Sequence, residues 1–274
     1  MKSNNVGSLE QLRHIHDQAV PDDRVIRIWD ALDDDRCPEN CWGMDLQQPE
    51  WVSKVHNTQT GRVFILGTGP SLLKEREILP FLVKEQTWTV NRANFIDYLG
   101  FKPTHHSITE PGPILDWGRM IHPYYDFPGA LNRIAVHWFP ITAPGWLWCA
   151  KAIDDIQIRW HGFFGLGESL PPLPTGWASP LTLCQLAAWL GYTEFYFLGV
   201  DTSQGGQAWD PKSGTRQARS IVSIMECFDR ARAQIEKAGR KIYDCSDGGR
   251  LNQEGILPYV ALSEVLGVGS HVAG

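Results

Sequence analysis

The chain has 274 residues, 43% of them hydrophobic and 20% charged, with a formal charge of −6 at neutral pH. That length and apolar content suffice for one large domain or a domain with an appendage, and the acidic balance argues against a broad electrostatic grip on nucleic acid or an anionic membrane. The polar start Met1 to Gly7 is followed by no apolar leader, and the uncharged stretch Ile134 to Ala150 is broken by His137, Pro140, Pro144 and Gly145, so the expectation is a cytoplasmic protein without a membrane span.

In chain order, Ser8 to Val20 reads as a short helix, with Ser8 and Gln11 in capping-box positions and Leu9, Leu12, Ile15 and Ala19 on one face. The acidic run Asp33-Asp34-Asp35 and Trp29, Trp42 and Trp51 then suggest an N-terminal extension, residues 1–61, packed on the main domain. Cys37 and Cys41 alone form an incomplete ligand pair, so no metal site is expected there, and the scattered cysteines read as reduced core thiols.

From Arg62 the pattern alternates strand and helix. Val63 to Leu66 is a short, mostly β-branched or aromatic run that stops at Gly67-Thr68-Gly69-Pro70, which predicts a central parallel strand feeding a helix after Pro70 that carries Leu72, Leu73, Ile78 and Leu79. Further strands are expected at Thr87 to Asn91, Thr104 to Thr109, Arg133 to Phe139, Ile156 to Trp160, Glu194 to Val200 and Arg240 to Cys245. Helices are expected up to Leu99 and over Ser179 to Leu190, Thr215 to Ala238 and Pro258 to Leu266; the third keeps a helical stripe of Ile221, Ile224, Met225, Phe228, Ala231 and Ile235. The alternation predicts an α/β fold: a doubly wound, mostly parallel sheet with helices on both faces over residues 62–274, with a lid near 202–219.

In such a sheet, ligands collect at the carboxyl ends of the strands. Glycine admits close approach of a ligand, proline suits a first helical turn, and the amides with the helix dipole attract an anion, so Gly67, Thr68, Gly69, Pro70 and Ser71 form the first candidate site. Asn91, Glu110 and Asp201 close other strands, and Ser179 opens a helix. Asp201 is a candidate for orienting a ribose, binding a metal or acting as a base, with a turn role as the plain alternative. His105 and His106 alternate faces on a strand, and a packed or solvated role is expected for each. The tryptophans Trp138, Trp146, Trp148, Trp160 and Trp177 are assigned mainly to the core. Thr202 to Arg219 is polar and rich in turn residues, which suits a mobile lid offering Lys212, Arg216 and Arg219 to a diphosphate.

Three segments, I-L-G-T-G-P-S-L (65–72), T-V-N-R-A-N-F (89–95) and W-A-S-P-L-T-L-C-Q-L-A-A-W-L-G-Y-T-E-F-Y-F-L-G-V-D (177–201), with K-I-Y-D-C-S-D (241–247), resemble in this order the bacterial lipooligosaccharide sialyltransferases. They also resemble the related motility accessory factor glycosyltransferases and 6-hydroxymethylpterin diphosphokinases. The resemblance covers about residues 62–267 and implies a Rossmann-like glycosyltransferase domain with the nucleotide of an activated sugar over the glycine turn. Residue by residue, it implies that Asn91 contacts the nucleotide, that Ser179 lies beside the donor phosphate, and that Trp209 takes the place of a phosphate-facing tyrosine. Thr68 stands where that family has asparagine, Glu110 where a second asparagine is expected, and Ser203 where it has tyrosine; residues 201–240 contain no histidine to serve as its general base.

The expected function is therefore a nucleotide-sugar-dependent glycosyltransferase acting on a hydroxyl of a glycan or another acceptor. Asp201, Glu110 and Asp210 are candidates for taking the acceptor proton; Gly67 to Ser71, Asn91, Ser179, Ser203 and Trp209 are candidates for the nucleotide, and no metal or cofactor is required. The alternatives are a diphosphokinase acting on a small heterocyclic alcohol, with Glu110 and Asp201 holding Mg²⁺, and a non-catalytic nucleotide-binding protein. A nucleic-acid acceptor is disfavoured by the acidic charge.

Overall fold

The computed structural model describes residues 54–91, 99–109, 132–137, 146–150, 178–202, 206, 208 and 218–268. Among the described residues seven strands form one sheet: β1 (Arg62–Leu66), β2 (Thr87–Val90), β3 (His105–Ile108), β4 (Asn132–His137), β5 (Trp146–Ala150), β6 (Glu194–Leu198) and β7 (Lys241–Asp244), in the order β5-β4-β3-β2-β1-β6-β7. Every neighbouring pair is parallel. The α-helices are α1 (Ser179–Leu190), α2 (Ala218–Lys237), α3 (Arg250–Gln253) and α4 (Leu262–Leu266).

Central strands buried on both faces cannot alternate apolar with polar, and β1 accordingly buries Val63, Phe64, Ile65 and Leu66 alike. Val63, Ile65, Phe195 and Phe197 face α1 and the Ile224, Phe228, Ala231 and Ile235 stripe of α2. Phe64, Leu66, Tyr196 and Leu198 face Leu72, Leu79, Leu82 and Leu262 on the other side. The sheet is thus covered on both faces, as the sequence pattern predicts. Helix α1 lies under the middle of it, buried from Pro180 to Leu190.

Local chemistry explains the helix limits. Pro180 in the first turn of α1 lacks an N–H that the helix does not need there. At the other end Gly191 adopts φ 113°, and Arg240 Nη1 donates to the carbonyls of Ala188 (2.7 Å) and Tyr192 (2.9 Å), satisfying groups left open by the helix end. Residues 54–61, the end of the expected N-terminal extension, lie against this end: His56 stacks on Trp189 at 3.8 Å, and the amides of Asn57 and Gln59 donate to Trp189 and Leu190.

Several expectations need correction. Instead of an α-helix after Pro70 there are two 3-10 segments, Pro70–Leu73 and Leu79–Lys84. Pro70 and Pro80 each stand in the first turn of their segment, and the bonds Leu72 N–H to Gly69 O, Phe81 N–H to Ile78 O and Glu85 N–H to Leu82 O are of the i to i+3 type that defines the tighter helix. Only Leu262–Leu266 of the expected Pro258 to Leu266 helix is helical, because Asp244 N–H donates to Pro258 and Val260 N–H to Asp244, tying 258–260 to the end of β7. Strand β5 occupies Trp146–Ala150, which carried no strand expectation. The expected helices over Ser8 to Val20 and up to Leu99, the strand over Ile156 to Trp160 and most of the lid lie outside the described residues. Among the described residues no helix is long and apolar enough to cross a membrane.

Candidate functional site

Strands β1 and β6 are neighbours, but the chain leaves β1 toward β2 and β6 toward β7, in opposite directions across the sheet. Where the winding reverses is the switch point, at whose carboxyl ends this architecture holds its ligands. Gly67 to Ser71 and Gly199 to Thr202 meet there. Gly67 N–H donates to Leu198 O at 2.7 Å and Gly69 N–H to Gly199 O at 2.8 Å. A Cβ on Gly67 would overlap Gly199 O, and one on Gly69 would overlap Asp201 Oδ2, so both glycines are required by the close approach of the β6 loop.

Asp201 Oδ2 accepts the Ser71 N–H at 3.0 Å, and the Asp201 carbonyl accepts the Arg250 N–H at 3.2 Å. This changes the reading of the glycine turn. The turn opens a four-residue 3-10 segment without an α-helical dipole behind it, and a carboxylate of the chain itself already holds its Ser71 amide. The hydroxyls of Ser71 and of Thr202, the residue after Asp201, are buried, the residues being 6% and 5% exposed, and have no hydrogen-bond partner among the described residues. Thr202 adopts φ 47°, so the backbone turns sharply directly after Asp201.

A second group lies at the ends of β2 and β3. Asn91, at φ 46°, accepts the Thr109 N–H on Oδ1 at 2.9 Å and donates from Nδ2 to Ser179 Oγ at 3.0 Å. The Thr109 hydroxyl joins the same cluster through Ser179 Oγ. The Thr109 amide fixes which way the Asn91 amide points, and Asn91 in turn holds the Ser179 hydroxyl at the start of α1. Ser179 is partly exposed.

The third group closes β7. Asp244 is fully buried, accepts Ser246 N–H at 2.8 Å and Asn252 Nδ2 at 3.1 Å, and Ser246 Oγ receives Val200 N–H at 3.3 Å. Burial raises its carboxyl to about 6, against the Ser246 and Asn252 donors, and the charge of Asp201 adds to the rise. The folded form therefore binds a proton more readily than the unfolded chain. Stability from this group is fully present below the ordinary value of 3.8 and is lost as pH rises through about 6. Chemical denaturation should accordingly show wild type losing stability, by up to about 3 kcal/mol, between pH 4 and 7 relative to Asp244→Asn. Parallel pH profiles for the two proteins would refute it.

The sequence-predicted residues divide as follows. Gly67, Thr68, Gly69, Pro70, Ser71 and Asp201 come together at the β1/β6 crevice, and Asn91 and Ser179 come together beside β2. Glu110, Ser203, Trp209 and Asp210 lie outside the described residues. Sequence reading passed over Thr109, Asp244 and Ser246, although the rule that selected Asn91, polar residues at the carboxyl ends of strands, applies to Thr109 and Asp244 equally. His105 and His106 are packed: the His105 ring lies 4.5 Å from Trp88, tilted by 32°, and burial lowers its pKa to about 4, while His106 Nδ1 bonds Thr89 Oγ1 at 3.0 Å. Cys184, Cys227 and Cys245 are buried free thiols, and among the described residues no three histidine, cysteine or acidic side chains converge as a metal cluster.

No protein-family model matches the chain, and no curated protein matches it in sequence. Solved structures do resemble it in fold. The sialyltransferase CstII from Campylobacter jejuni, solved in complex with the substrate analogue cytidine-5′-monophosphate, aligns with a TM-score of 0.47 and 16% identity over 77% of this chain and 87% of its own. The MAf glycosyltransferase from Magnetospirillum magneticum AMB-1 aligns with a TM-score of 0.47 and 18% identity over 70% of this chain, which spans 33% of that longer protein.

Proposed function

We propose that the protein is a glycosyltransferase that moves a sugar from a nucleotide-activated donor to the hydroxyl of a glycan or another acceptor. The observation that carries this reading is that two hydrogen-bonded groups, Asn91 with Thr109 and Ser179, and Asp201 with Ser71, stand at the carboxyl ends of β1, β2, β3 and β6 beside a switch point, where this architecture binds nucleotides. Ser179, held by Asn91, stands beside the donor phosphate and stabilises the leaving group by hydrogen bonding. The acceptor proton passes to a carboxylate, for which Glu110 and Asp210 are the candidates besides Asp201. No metal is needed in this scheme, because hydrogen-bond donors and lid arginines neutralise the leaving nucleotide.

A thermal-shift panel tests it. A ligand at a hundredfold its Kd stabilises by about 2.7 kcal/mol, which raises Tm by roughly 2–4 °C per kcal/mol in a domain of this size. Nucleoside diphosphates or cytidine monophosphate are expected to give such a shift with EDTA present. A shift confined to nucleoside triphosphate with Mg²⁺ would replace this reading by the diphosphokinase, and a shift with none of these ligands would refute nucleotide chemistry altogether.

A further inference from the structure

The geometry points to Asp201, Ser71 and Thr202 as a binding site for two neighbouring hydroxyls of a sugar ring, placed on the glycine turn where a phosphate would be expected. This assignment rests on the transferase reading and orients the donor within it.

The argument begins with charge. The Asp201 carboxylate touches the glycine turn so closely that Gly69 has no room for a Cβ, and Oδ2 takes the Ser71 amide at 3.0 Å. A phosphate seated on this turn would meet a carboxylate of like charge and would lose the amide that was to hold it. Oxygen Oδ1 of the same carboxylate has no hydrogen bond among the described residues, so the group presents an uncommitted acceptor to the crevice. Ser71, whose amide that carboxylate accepts, and Thr202, next to Asp201 in the chain, carry buried hydroxyls without partners among the described residues. A buried hydroxyl without a partner carries a desolvation cost that a ligand can relieve.

One anionic acceptor together with hydroxyls, each able to donate and accept, complements a vicinal diol. Each diol oxygen donates its hydrogen to the carboxylate or accepts one from a side-chain hydroxyl. The arrangement fits neither a phosphate, which has only acceptors to offer at neutral pH, nor an apolar group, which would leave all three side chains unsatisfied. The anionic part of the donor then lies toward Ser179 and the Asn91 cluster, across the end of β2.

Two rings can supply the diol, the ribose of the nucleotide and the sugar that is transferred, and calorimetry on the full chain separates them. Uridine, cytidine and guanosine diphosphates are compared with their 2′,3′-dideoxy counterparts, and each diphosphate with its glucose conjugate. A hydrogen bond to a charged group implies a preference of roughly tenfold to a hundredfold for the hydroxyl-bearing ligand. If the ribose is the ligand, Asp201→Asn removes the preference for ribose over dideoxyribose while dideoxynucleotide affinity persists. If the transferred sugar is the ligand, the same variant removes only the extra affinity of the conjugate. Ser71→Ala, which keeps the amide bond to Asp201, reduces whichever preference applies and decides the matter if Asp201→Asn does not fold. Unchanged preferences in the folded variants, or no preference in wild type, would overturn the assignment. Should no nucleotide bind, the transferase reading falls separately; ribose 5-phosphate against 2-deoxyribose 5-phosphate then decides, with a wild-type preference lost in Asp201→Asn supporting the diol site and equal or absent binding overturning it.

Discussion

Gly67→Ala is expected to destabilise the fold by about 3 kcal/mol, at the upper end for an overpacked site, with urea denaturation followed by circular dichroism as the measurement. The added Cβ would overlap the carbonyl oxygen of Gly199 and stand 3.1 Å from Val200 Cγ2. A flexible side chain turns aside at small cost, but Gly199 O belongs to the backbone that also accepts the Gly69 N–H. Relief therefore requires β1 and β6 to separate at the point where Gly67 N–H reaches Leu198 O. Gly69→Ala behaves differently, because its nearest obstacle is the Asp201 side chain, although Gly199 O also stands close at 2.7 Å. That variant should fold less stably and with Asp201 detached from Ser71. A Gly67→Ala stability within 0.5 kcal/mol of wild type would show that the two loops do not approach as described.

The second large effect is expected at Trp189. Its indole is 1% exposed, lies in the cluster that joins α1 to β1, β6 and α2, and receives the His56 ring at 3.8 Å with planes 14° apart. Truncating a buried tryptophan to alanine costs about 3–5 kcal/mol through lost transfer energy and the cavity left behind. Domains are stable by only about 5–15 kcal/mol in total, so Trp189→Ala should move the guanidinium midpoint far down or prevent folding. Trp189→Phe fills part of the cavity and keeps an aromatic face for His56, so it should retain a good part of the stability. Equal midpoints for the alanine and phenylalanine variants would mean that the cavity is not the source of the loss.

Both predictions concern features that the sequence displays unevenly. Strand β6 and helix α1 were legible because their signals agree: an apolar run stopped by Asp201, two residues of which fall beyond the observed strand, and a run opened by Ser179-Pro180 and closed by Gly191. Strand β5 was not, since Trp146, Trp148 and their neighbours read equally well as core aromatics without any strand, and only pairing with β4 makes them one. The leucines after Pro70 predict a helix, but their spacing does not distinguish one α-helix from the two short 3-10 segments that form.

The sequence by itself determined that this is an α/β chain with a parallel sheet, that the glycine turn at 67–71 ends a buried strand, and that Asn91, Ser179 and Asp201 stand at element ends. These follow from local period and turn chemistry, which act over a few residues. Only the tertiary structure decided what those residues touch. Asp201 reaches Ser71 across 130 positions and Asn91 reaches Ser179 across 88, while Thr109 acquires its role from Asn91 and Ser179, and Asp244 from Ser246 and from Asn252 in α3. A turn that reads as an open anion cradle becomes the seat of a carboxylate once β6 pairs beside β1. Which strand lies next to which is a property of the packed sheet, set by burial on both of its faces, and no window along the chain contains it.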